Sequence, residues 1–68
     1  MPLHSVSAGR ITHIGYEDNT LYVRFVNDSL YAYYNVPIQE YQNLMSAALI
    51  GDYFYEHIKG VYKCERVG

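Results

Sequence analysis

The hydrophobic pattern of this chain changes period once, at Pro37, and that switch limits what it can build. Upstream, Thr20 to Val26 alternates Leu21, Val23 and Phe25 against Tyr22 and Arg24, the period-two signature of a strand with one buried face. Arg10 to Tyr16 carries β-branched and aromatic residues, Ile11-Thr12-His13-Ile14, and closes at the turn-forming cluster Glu17-Asp18-Asn19. Asn27 and Asp28 tolerate the left-handed conformation of a tight turn, so Ser29 to Val36 reads as a returning strand. The first nine residues, with Ser5, Ser7, Ala8 and Gly9, read as an irregular lead-in.

Downstream of Pro37 the apolar residues Ile38, Tyr41, Leu44, Met45 and Ala48 recur at three- and four-residue spacing, which predicts an amphipathic helix. Proline suits a first helical position, where its missing N–H costs nothing, and Asn35 lies close enough to help cap it. Gly51 can end this helix in a left-handed cap. Asp52 can then cap a shorter second helix, whose Phe54, His57, Ile58 and Val61 share one side and which Gly60 stops. The tail from Val61 to Val67 either adds a short strand or lies against the sheet. The expected fold is therefore α+β: a three-stranded antiparallel meander followed by two helices packed on the sheet face that carries Leu21, Val23 and Phe25.

A chain of 68 residues accommodates one domain, residues 1–68, with one small core. Cys64 is the only cysteine, so no disulfide can brace that core within the chain. A single cysteine suits a reducing cytoplasm, and a small unbraced core makes a homodimer a natural partner state. No apolar run approaches the roughly 18 residues needed to span a bilayer, and Met1-Pro2-Leu3-His4 lacks the basic and apolar regions of a signal peptide. The expectation is a cytoplasmic protein with no membrane partner. A formal charge of -2 runs against the basic excess of dedicated phosphate-backbone binders, so nucleic-acid binding would need a local basic patch.

Tyrosine accounts for nine residues, against two phenylalanines and no tryptophan. A ring with a polar tip serves equally in a small core and on a half-wet binding surface, and hairpin register decides between these roles for Tyr31 and Tyr33. A two-residue turn through Asn27 and Asp28 pairs Phe25 with Leu30, Val23 with Ala32 and Leu21 with Tyr34. Tyr31 and Tyr33 then join Tyr22 and Arg24 on the uncovered face as an aromatic-basic platform. A three-residue turn through Ser29 slips the register by one and sends both rings to the core beside Phe25 and Val23. Leu30 and Ala32 are natural core fillers, which favours the two-residue turn; Asp28, where such a turn prefers glycine, argues the other way.

Catalysis requires convergent titratable groups, and few are present. Cys64 and His57 lack an orienting third group and an oxyanion turn, and read more simply as a small half-buried thiol and a helix-face histidine. His4, His13 and His57 show no metal-ligand spacing, and no phosphate-cradling glycine loop occurs. No enzyme, metal or cofactor is expected.

These residues resemble the KTSC domain family. The resemblance rests on Ser7, Ile14-Gly15-Tyr16, Leu21-x-Val23-x-Phe25, Tyr31-x-Tyr33, Val36-Pro37, Tyr41, Leu44, Ala47, Gly51, Phe54, Ile58 and Tyr62, whose order and spacing span nearly the whole chain. It implies a small domain found alone in bacterial proteins and at the C-terminus of some lysyl-tRNA synthetases, with no established activity and RNA binding suggested by that setting. The chain departs from the family at Asp28, often glycine there, at Ala48-Leu49-Ile50, where serine is usual, at Tyr55, where asparagine is common, and at Lys59, a frequent arginine. Lysine keeps the charge and loses the planar fork. The function expected is a non-catalytic binding module. It would bind RNA by stacking bases on Tyr22, Tyr31 and Tyr33 while Arg24, Arg10 and Lys59 meet phosphates; the alternative is protein interaction or self-association through the same face.

Overall fold

The structure, a computed structural model, describes residues 2–68. Five strands form one antiparallel sheet in the order β1 (His4–Ala8), β2 (Ile11–Glu17), β3 (Thr20–Phe25), β4 (Leu30–Tyr33) and β5 (Cys64–Arg66). Helices α1 (Ile38–Ser46) and α2 (Ile50–His57) lie between β4 and β5 in the chain. The α+β meander with two following helices matches the sequence expectation, and the tail takes the strand alternative by pairing Tyr33 with Cys64 and Tyr31 with Arg66.

The irregular lead-in is a correction. Within that stretch Met1 lies outside the described residues, and His4–Ala8 is an edge strand that pairs Ala8 with Ile11 across the Gly9-Arg10 turn. Gly9 takes the turn's first central position at a φ of 64°, which a residue without Cβ adopts freely. The strand escaped the alternation test because it is mostly solvated, with only Val6 and Ala8 packed against the core.

The second hairpin has a three-residue loop, but it runs through Val26 to Asp28 and not through Ser29, so the register slips the other way and still sends Tyr31 and Tyr33 to the covered face. The Phe25 amide donates to the Ser29 carbonyl at 3.0 Å and the Asp28 amide donates to the Phe25 carbonyl at 2.9 Å, enclosing Val26, Asn27 and Asp28. Pairing then runs Leu21 with Tyr33, Tyr22 with Ala32, Val23 with Tyr31 and Arg24 with Leu30, one residue off the favoured register. A two-residue type I′ turn needs positive φ at both central residues, whereas this loop needs it only at Asp28, whose φ is 69°. Asn27 secures the loop by accepting from the Ser29 amide at 3.1 Å and the Ser29 hydroxyl at 2.6 Å. The Asp18-Asn19 turn between β2 and β3, by contrast, does hold both residues at positive φ.

The core joins Ile11, Ile14, Leu21, Val23 and Tyr33 of the sheet to Leu44, Phe54 and Ile58 of the helical layer. Phe54 sits at its centre, with the Tyr33 ring edge-on at 5.4 Å and the Phe25 ring at 5.9 Å. Tyr41 packs as expected and stacks on Tyr16 with ring centroids 4.9 Å apart. Tyr34, expected on the helix side under the two-residue register, falls instead on the face of Ala32.

The helix boundaries differ in detail. Pro37 is the N-cap of α1 and no side chain caps it; Asn35 adopts a φ of 58° in the preceding turn. Gly51 belongs to the first turn of α2, where a Cβ would stand 3.3 Å from the Ala8 carbonyl oxygen. Its role is close approach of helix to hairpin, and neither it nor Asp52 caps a helix. Gly60, at a φ of 80°, does follow the end of α2.

Candidate functional site

Two side-chain sets that the sequence grouped together lie on opposite faces of the sheet. Tyr22 and Arg24 occupy the face without helices, alongside Leu30 and Ala32. Arg24 is engaged there, with Nη1 3.8 Å from the Asp28 carboxylate. The neighbouring Tyr34 phenol is held above the ordinary tyrosine value, first by desolvation and then by Glu65. Tyr31 and Tyr33 face the helices, so the platform of Tyr22, Arg24, Tyr31 and Tyr33 does not exist. Tyr33 is 3% exposed and its ring is a core element.

Tyr31 and Tyr33 nevertheless reach a surface. Where the helical layer ends, at the close of α2, a cleft of about 420 Å³ opens between the second hairpin and the Tyr55–Gly60 segment. Its aromatic lining is Phe25, Tyr31, Tyr33 and Tyr55, with the Tyr31 ring edge-on to Phe25 at 5.7 Å. The cleft also contains Arg10 from the first hairpin turn and Lys59 from beyond α2, and no aspartate or glutamate lines it. Lys59 Nζ lies 5.4 Å from the centre of the Tyr55 ring, within reach of a cation–π interaction. Four of the six predicted binding residues therefore do converge, through the ends of elements and not through an open sheet.

The sequence reading missed Phe25 and Tyr55 as site residues. Tyr55 and Lys59 are four apart, a spacing that places both on one side of a helix end, so that signal was present. Cys64 is exposed at the cleft and pairs with Tyr33, which corrects the expectation of a half-buried thiol. The Tyr33 phenol is pushed far above its ordinary value, chiefly by burial and then by Cys64 and Tyr31. It thus remains a neutral hydrogen-bonding group at neutral pH. His57 stacks on Tyr53 at 4.4 Å and does not line the cleft. Among the described residues no group of three or more His, Cys, Asp or Glu side chains could hold a metal ion. No helix among them is long and apolar enough to cross a membrane.

A five-stranded antiparallel sheet capped on one face by two helices, with an aromatic cleft at the helical edge, defines a small α+β domain. The KTSC domain family profile matches residues 7–62, and the chain belongs to that family. A crystal structure of a KTSC domain protein from Yersinia pestis is similar, with a TM-score of 0.92 and 36% identity over 98% of this chain and 97% of that one. No curated protein matches the chain.

Proposed function

We propose that this chain is a non-catalytic module that binds single-stranded RNA in the cleft at the end of α2. The observation that carries this reading is the cleft's composition: four aromatic rings and two cations without a carboxylate, in a protein of net charge -2. Among the described residues neither Arg10 nor Lys59 has an acidic partner, whereas Arg24 on the opposite face does. Rings that accept a base together with free cations that accept phosphate are what non-specific single-strand sites combine, with roughly 1 to 3 kcal/mol per stacked base. This moves the binding role from Tyr22 and Arg24 to Tyr31, Tyr55, Arg10 and Lys59.

Titration with short single-stranded RNA tests the reading. Binding should weaken with salt at a logarithmic slope of about −1.4, since two phosphate contacts to a single strand each contribute about −0.7. Lys59→Ala and Arg10→Ala should each reduce that slope, while Arg24→Ala leaves affinity unchanged. Failure of both single strands and transfer RNA to bind at low salt would refute it. A protein partner or a second copy of the chain is the other use of such residues; sedimentation showing self-association that Tyr55→Ala abolishes, without RNA binding, would favour that reading.

A further inference from the structure

A second hollow adjoins the cleft at Arg10 and Tyr55. This hollow, about 570 Å³, lies between the first hairpin turn and the junction of the two helices, and is lined by Ser7, Ala8, Ala48, Leu49 and Asp52 among others. Arg10 and Tyr55 line both hollows. Each volume falls in the range of roughly 300 to 1,000 Å³ typical of small-molecule sites. The walls differ in charge: Lys59 serves the aromatic hollow, Asp52 the other, and Arg10 stands at their junction. Close approach of α2 to the Ala8 backbone at Gly51 brings the second hollow against the first hairpin.

Resting on the RNA reading above, we infer that the two hollows form one groove for two consecutive nucleotides, with the phosphate between them at Arg10. The aromatic hollow takes one base against Tyr31 and Tyr55. The second hollow takes the next base beside Asp52, whose carboxylate repels a phosphate and accepts a hydrogen bond from an exocyclic amine. Uracil has no such amine, so the amine-bearing bases adenine, cytosine and guanine are preferred over it at that position. Two linked nucleotides gain over one because the second binding event is intramolecular and adds a base contact as well as the Arg10 phosphate contact.

The test compares adenosine monophosphate, the dinucleotides ApA and UpU, and a tetra-adenylate by titration monitored through backbone amide NMR. ApA should bind roughly tenfold tighter than the monophosphate, with shifts at Ala48 to Asp52 as well as at Tyr31 and Lys59, and tighter than UpU. Ala48→Trp, which fills the second hollow from an exposed position, should reduce ApA to the affinity of the monophosphate and leave the monophosphate within twofold. Asp52→Asn should narrow the gap between ApA and UpU. Equal affinity for ApA and the monophosphate, or shifts confined to the aromatic hollow, overturns the two-nucleotide groove and leaves RNA binding standing. Absence of binding at every length overturns both.

Discussion

The Tyr62 hydroxyl donates to Oε2 of Glu40 at 3.0 Å, and the other oxygen of that carboxylate accepts from the hydroxyl of Tyr53. One side chain of α1 thereby fastens both α2 and the segment leading to β5. Hydrogen bonds to a charged acceptor are about twice as strong as neutral ones, and these groups are only partly buried. Glu40→Gln should therefore cost about 1 kcal/mol, and Glu40→Ala more, read as a lower urea midpoint at constant slope. An unchanged midpoint in both variants would mean that the carboxylate is solvated in solution.

The same contacts set the alkaline limit of stability. The Tyr53 phenol is raised above its ordinary value of 10.0 chiefly by its bond to Glu40. Tyr62 is raised by burial and then by Glu40, and Tyr33 by burial and then by Cys64. With folded values above unfolded ones, the unfolded chain ionises first. The stability these groups contribute is full below about pH 10 and drains as pH rises through the folded values. Thermal unfolding across an alkaline series should show that decline, made shallower by Tyr53→Phe with Tyr62→Phe. Constant stability well above pH 10 contradicts the assignment.

Asp28 carries the strain of the three-residue loop at a φ of 69°. Asp28→Val should destabilise by about 1 to 2 kcal/mol, because a β-branched residue is an outlier at positive φ. Asp28→Gly relieves the backbone and gives up only an exposed pair 3.8 Å long, so its melting temperature should be equal or higher. Loss of stability on Asp28→Gly would show that the side chain, not the backbone, holds the loop.

The two faces of the sheet should respond differently to truncation. Tyr33→Ala removes a buried ring from against Phe54 and should cost about 3 to 5 kcal/mol, comparable to the whole net stability of so small a domain. Tyr22 opposes only the small residues Ala32 and Gly15 on its two neighbouring strands, so Tyr22→Ala should stay within about 1 kcal/mol. Circular dichroism at moderate temperature separates the outcomes: the first variant loses its fold and the second keeps it.

The period switch at Pro37 made the meander and both helices legible, since alternation at Leu21, Val23 and Phe25 is only satisfied by one covered face. Register was not legible, because Leu30 and Ala32 fit a core as well as Tyr31 and Tyr33 by polarity alone. The deciding preference lay in the loop backbone, where one positive φ at Asp28 is easier than two. The site was read as an open platform since sequence parity reports faces and not where a covering layer stops. Arg10, Tyr31, Tyr33 and Lys59 were singled out together with Tyr22 and Arg24, yet only the position at which α2 ends shows which of the six line one cleft.

Strand β5 is the one member of the sheet that does not follow its neighbour in the chain, as both helices intervene between it and β4. Strands β1 to β4 can zip sequentially through short loops, while β5 must wait for the helices to dock, so assembly has a natural last step. Cys64, which lines the cleft, arrives only with that step. The cleft is consequently completed by the strand pairing of longest sequence separation in the sheet, and its occupancy reports complete folding. A ligand held there should slow the peeling of Cys64–Arg66 more than any other opening, visible as selective protection of those amides from hydrogen exchange.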